Sequence, residues 1–167
     1  MTEEIKKHSI SLLVNNKPGV LIRIALVFAR RGFNIDSLVV SESNVPEFSR
    51  MTIAATGDNK TLDQIIKQLN KLVDVVHATD NTGKNIIERE LALLKVFCDS
   101  EKRVDVFQLI TAFKGATVDI ADKTVAFEVT GSSEKIDAVK KTFEPYGILE
   151  VVRTGKTLIT RGDESTS

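Results

Sequence analysis

The stretch "VNNKPGVLIRIALVFARRGFNIDSL", Val14 to Leu38, carries the end of one strand, a turn, a helix and the start of the next strand. Val20, Ile24, Val27 and Phe28 recur at helical spacing, Arg23, Arg30 and Arg31 take the other side, and Gly32 ends the run. Asn16, Pro18 and Gly19 stand where strand becomes helix. Asn16 can cap the helix with its side-chain oxygen, Pro18 is tolerated in a first turn, and Gly19 removes a side chain where the helix N terminus opens outward. Two uses fit this turn. One is a plain cap; the other is a seat in which free amides and the helix dipole favour a carboxylate or phosphate by ~0.3 to 1 kcal/mol. Local chemistry leaves both open.

Working outward, "ISLLVNN" before the turn reads as a strand, and "NIDSLVVSES" and "SRMTIAAT" after the helix as two more. "KTLDQIIKQLNKL" places Leu62, Ile65, Ile66 and Leu69 on one helical face, and "DVVHAT" closes the unit as a short strand. The polar "DNTGKN" then reads as a linker. Beyond it the same order returns: strand "RELALLKVFC", helix "VDVFQLITAF", a hairpin of "ATVDIA" and "TVAFEVT" about Asp122 and Lys123, helix "SEKIDAVKKTFEPY" and strand "ILEVVRTG". The expected fold is α+β: two ferredoxin-like βαββαβ modules, at residues 1–80 and 87–167, joined by a linker at 81–86, with a short polar tail at the end. Each sheet would leave a face and two edges open, so at least a homodimer is expected.

Composition narrows the function classes. The 167 residues are 42% hydrophobic with zero formal net charge, so no global basic field exists to hold a nucleic-acid backbone. No apolar run approaches the roughly 20 residues that span a bilayer, and the start "MTEEIKKHSI" lacks a secretory pattern, which makes cytoplasm the default expectation. Cys98 is the one cysteine, and His8 and His77 show no ligand-like spacing, so no metal site is expected. Cys98 ends an apolar strand and reads as a small buried hydrophobe; His77 reads as structural or interfacial; the run Glu88 to Glu90 reads as solvated. The "RGF" at Arg31 to Phe33 matches the start of an RNA-recognition signature, but Asn34, Ile35 and Asp36 follow where stacking aromatics would be needed. No acid, base or nucleophile cluster emerges, and no catalytic residue is expected.

Pro-Gly opening the first helix and "GFNI" leading into the second strand resemble the ACT domain, a regulatory module that binds small ligands, often amino acids. Taken with "SRMTIAATGD", "IIKQLNKLVDVV" and "RELALLKV", the chain is more closely similar to the regulatory small subunits of acetolactate synthase, also called acetohydroxyacid synthase. The quoted segments run from about Ser9 to Lys95, and the second half agrees in shape to about Gly162.

The resemblance implies a subunit without cofactors of its own. Its partner would be a catalytic large subunit carrying thiamine diphosphate, Mg2+ and FAD, which condenses pyruvate with a second 2-oxo acid on the route to valine, leucine and isoleucine. The small subunit would raise that activity and confer feedback inhibition, usually by valine. An ACT-type sensor acting on a different partner is the alternative. The resemblance further implies an effector held between two ACT domains by the glycine-containing turn and an asparagine opening the second strand, here Asn16, Gly19 and Asn34. On this reading the effector carboxylate sits on the amides of Gly19 and Val20, Asn34 of the facing copy accepts from its ammonium group, and Val20, Leu21 and Ile35 line the side-chain pocket. Lys17 and Pro18 depart from many family members, which have an acidic or small residue there; the departure bears on effector affinity more than on effector class. The second module, with "CDSEKRVDVFQL" in place of the Pro-Gly turn, is not expected to hold a second site of this design.

Overall fold

A computed structural model describes residues 5–166. The outermost bounds expected for the two modules, residues 1–4 and 167, lie outside them. The chain divides into two units: residues up to Ile87 together with those from Lys156 onward, and Glu88–Gly155.

The first unit runs β1 (Lys6–Asn15), α1 (Val20–Ala29), β2 (Asn34–Glu42), β3 (Phe48–Gly57), α2 (Asn59–Leu69) and β4 (Val75–Asp80). Its sheet is antiparallel in the order β2-β3-β1-β4, the ferredoxin-like arrangement, with β2 and β4 as edges. Alternation along β1 puts Ile10, Leu12 and Val14 into a core with Ile24 and Phe28 of α1 and Leu62, Ile65 and Leu69 of α2. Phe33 completes that core beside Gly57, where a Cβ would come within 2.1 Å of the Phe33 ring, so the strand tolerates only glycine there. The aromatic of "RGF" is therefore buried in the core and offers no stacking platform to a base.

Helix α2 is capped by Asp58, whose side chain accepts from the Thr61 amide at 2.7 Å. That hydrogen bond holds the Asp58 carboxyl below its ordinary value of 3.8. The carboxylate contributes stability above its unfolded pKa, and the contribution is lost as pH falls through the depressed folded value. Asp58→Asn keeps an acceptor without a charge. Thermal denaturation across acid pH should show the wild-type advantage over Asp58→Ala shrinking as pH falls, and a flatter dependence for Asp58→Asn.

The second unit contains most of β5 (Ile86–Phe97), then α3 (Arg103–Ala112), β6 (Ala116–Ile120), β7 (Thr124–Gly131), α4 (Ser133–Phe143) and β8 (Ile148–Arg153). Its order β6-β7-β5-β8 repeats the first sheet's topology. Ala92, Leu94, Val96 and Cys98 of β5 and its continuation pack with Val106, Ile110, Phe127, Ile136 and Phe143, so Cys98 lies buried in this core as a free thiol. The helix expected to run through Tyr146 stops at Phe143 and tightens into a 3-10 turn over Glu144–Tyr146, since Pro145 has no amide to continue the ladder.

Two expectations about boundaries change. The polar segment after β4 is part of the first unit: Asn81 is buried, its amide donates to Ser9 O at 2.8 Å, and its side chain donates to Ser11 Oγ at 2.7 Å. The polar tail also belongs to the first unit, not the second. A ninth strand, β9 (Thr157–Thr160), pairs with β5, and Arg161 donates its amide to Asn85 O at 3.1 Å. Leu158 is buried, and Ser11 Oγ donates to the Thr166 carbonyl at 3.2 Å. Polar composition hid this docking, because the tail is fastened mainly by hydroxyl and backbone groups.

Candidate functional site

The turn at Asn15–Val20 is built differently from the cap expected. Asn16 does not cap α1; its side-chain amide donates to Pro46 O at 3.3 Å and ties the turn to the β2–β3 loop. Gly19 is the N-cap residue, in the left-handed conformation at φ 83°, with no side-chain cap. A non-glycine residue there is strained by ~1 to 2 kcal/mol. The Val20 amide reaches Lys17 O at 3.4 Å, while the amides of Gly19, Leu21 and Ile22 have no acceptor among the described residues. Thus the seat consists of the Gly19, Leu21 and Ile22 amides more than that of Val20, and the positive end of α1 is uncompensated by any acidic residue in its first turn.

Arg23, on the side of α1 away from its apolar face, borders this seat. Its Nη1 lies 3.9 Å from where a Gly19 Cβ would stand, and its Nη2 bonds Asp74 Oδ2 at 2.5 Å. The missed signal was its spacing, four residues after Gly19 and one helical turn along the same face.

Asn34 opens edge strand β2 and is exposed. Its Nδ2 donates to Asp36 Oδ1 at 2.9 Å, and Thr56 Oγ1 donates to Asp36 Oδ2 at 2.6 Å. Asp36 takes this role because the β2–β3 register shifts between Ile35 and Ser37, so it is the extra residue of a bulge. A carboxylate can accept only from the amide nitrogen, which leaves the Asn34 oxygen free to accept from a cation. Asp36 and Thr56 thus hold the Asn34 side chain in place, which strand alternation did not disclose.

The apolar residues of the expected pocket divide. Val20 is buried in the core, so its side chain is not available to a ligand; Ile35 is half-buried against the same core; Leu21 is exposed. Exposed Ile22 and Leu26 continue the outer face of α1 beside Leu21.

The matching position of the second unit is occupied by its own carboxylate. Asp99 Oδ1 accepts from the Lys102 amide at 2.9 Å, at the start of α3. That carboxylate takes one amide and adds negative charge where an anion would have to approach.

Among the described residues no group of three or more His, Cys, Asp and Glu side chains converges as metal ligands would, and no helix is long and apolar enough to cross a membrane. His77 lies exposed on β4. His8, by contrast, is buried, its Nε2 bonded to Gly57 O at 3.0 Å.

Fold and turn together define a protein of two ferredoxin-like modules, the first opening its helix on a glycine turn. The AHAS small subunit-like ACT domain profile matches residues 10–77, and the profile for the small subunit of acetolactate synthase matches residues 89–162. The chain is 46% identical over 159 residues to the "Probable acetolactate synthase small subunit" of Methanothermobacter thermautotrophicus, covering 95% of each chain. It is 40% identical over 162 residues to the acetolactate synthase small subunit of Mycolicibacterium smegmatis, covering 97% of this chain and 95% of that one. The crystal structure of the Thermotoga maritima acetolactate synthase small subunit superposes with a TM-score of 0.86 at 41% identity, over 95% of this chain and 99% of that one. This chain belongs to the family of regulatory small subunits of acetolactate synthase.

Proposed function

We propose that this chain, as a homodimer, binds valine or a related branched-chain amino acid between its ACT modules, and that it both stimulates a thiamine-dependent catalytic large subunit and makes it sensitive to feedback inhibition. The observation that carries the reading is the placement of two complementary half-sites at opposite ends of one helix. Free amides gather at the N terminus of α1 (Val20–Ala29), and the free Asn34 oxygen follows its C terminus. Ten residues of helix separate them by ~15 Å. In an amino acid the carboxylate and ammonium groups share one carbon, so a single module cannot hold both. Two α1 helices packed antiparallel about a two-fold axis bring the Gly19 turn of one copy beside Asn34 of the other.

Further features support that pairing. Edge strand β2 offers unpaired backbone groups that a second β2 can take up, and Leu21, Ile22 and Leu26 form an exposed apolar face on α1. A ligand bridging two copies binds better to one arrangement of them than to others, which is what allosteric coupling requires. Coupling of ~1 to 3 kcal/mol changes linked affinities by 5- to 150-fold. A side-chain pocket discriminates one methylene by only ~1 to 3 kcal/mol, so valine, leucine and isoleucine overlap as effectors. Thiamine diphosphate, Mg2+ and FAD are assigned to the catalytic partner and none to this chain.

Mixing the purified chain with its cognate catalytic subunit tests the reading. Acetolactate formation should rise on mixing and fall when valine is added. No stimulation and no valine effect would overturn it; valine binding without stimulation would favour a sensor that acts on a different partner.

A further inference from the structure

The two half-sites are not equally selective. The amides of the α1 turn and the Arg23 Nη1 beside them read a carboxylate, which valine shares with every 2-oxo and 2-hydroxy acid of the same skeleton. Discrimination therefore falls to the other end. The Asn34 oxygen is an acceptor: it turns away a 2-oxo group, which brings no proton, but accepts from a hydroxyl as well as from an ammonium group. The distinction matters to the assembly, because acetolactate, formed by the catalytic partner, is itself a 2-hydroxy acid.

Asp36 supplies what Asn34 lacks. Its carboxylate is exposed, and its two oxygens are held by neutral donors, Asn34 Nδ2 at 2.9 Å and Thr56 Oγ1 at 2.6 Å. Among the described residues it forms no ion pair. Lys7 stands opposite Thr56 one strand further in, also without an ion pair, and Arg31 is bonded to Gln64 of α2. The two hydrogen bonds alone do not call for a charge, since an asparagine in the same place accepts from Asn34 and donates to Thr56.

We propose that Asp36 makes the effector site selective for an ammonium group, its negative charge acting through the Asn34 amide; this rests on the valine site proposed above. A carboxylate on the Nδ2 side polarises the amide and strengthens its oxygen as an acceptor. The 2.9 Å bond on one side of the amide and one of similar length on the other put the ammonium nitrogen within ~8 Å of Asp36, about one Debye length at physiological salt. An adjacent opposite charge favours a charged group by about 10- to 1000-fold, and an exposed one acting through an amide falls at the low end.

Calorimetry on the full chain compares valine with (S)-2-hydroxy-3-methylbutanoate, which carries a hydroxyl in place of the ammonium group and keeps the rest. The wild-type chain should prefer valine by at least about tenfold. Asp36→Asn should lower valine affinity about tenfold and leave the hydroxy acid within about twofold, so the preference collapses, while Asp36→Glu should retain most of it. A merely structural role for Asp36 would weaken both ligands by one factor. That result, no change in Asp36→Asn, an Asp36→Glu chain that behaves as Asp36→Asn, or a wild-type chain that binds both ligands equally, overturns the inference and leaves the valine site standing. A wild-type chain that binds no valine overturns both.

Discussion

Gly19→Asp should abolish valine binding by calorimetry, with affinity lowered at least about a hundredfold, while stimulation of the catalytic subunit persists. Three effects act in one direction. The substituted residue is forced to φ 83°, where L side chains are strained, so the turn relaxes and the Gly19, Leu21 and Ile22 amides shift. The aspartate carboxylate stands where the effector carboxylate would bind, and takes up the free amides and the helix dipole itself. Arg23, 3.9 Å from the added Cβ, becomes its partner and ceases to favour a ligand anion. Gly19→Ala separates strain from charge. Nothing but the Arg23 tip lies within 4 Å of the new methyl, so this variant carries only the backbone penalty and should weaken valine by about tenfold or less. Unchanged affinity in Gly19→Asp would place the effector elsewhere.

Arg153→Met should destabilise the second module by ~3 kcal/mol in urea denaturation at neutral pH, with little change in the slope against denaturant. The Glu90 side chain is 3% exposed and bonds Arg153, which also donates to Asp137 Oδ1 at 2.6 Å. Burial opposes the Arg153 charge, but the hydrogen bonds to Glu90 and then to Asp137 outweigh it, so its pKa is raised and the guanidinium stays charged. Removing it strands a buried carboxylate. The estimate sits at the low end of the range for breaking a buried pair, because Arg153 is itself 33% exposed and Asp137 is largely in solvent. Adding Glu90→Gln should recover much of the loss, since the uncompensated charge is then gone. If the double variant is no more stable than Arg153→Met, packing by the arginine stem and not charge compensation holds this corner.

The "ERE" run holding Glu90 illustrates how far a linear reading reaches. Glu88 to Glu90 reads as solvated because charged residues clustered before a strand usually face water, yet Glu90 is turned inward by the pleat and meets Arg153 from β8, 63 residues away. The Asp58 cap, in contrast, is a local feature, its acceptor and donor only three residues apart. Asn16 looked like a cap by type and by distance from the helix, but an αL glycine had already set the helix start, and Pro46 offered its carbonyl.

Periodicity and local turn chemistry were sufficient for the two βαββαβ repeats, the α1 and α2 core faces and the glycine turn, since these depend on contacts between neighbours in the chain or on which side of an element faces inward. Inward rotation of Glu90, the Asp36 bulge that orients Asn34 and the return of residues 156–166 to the first unit were settled only by folding. Each depends on partners distant in sequence or on a register shift of a single residue, and alternation of apolar and polar residues carries no information about either.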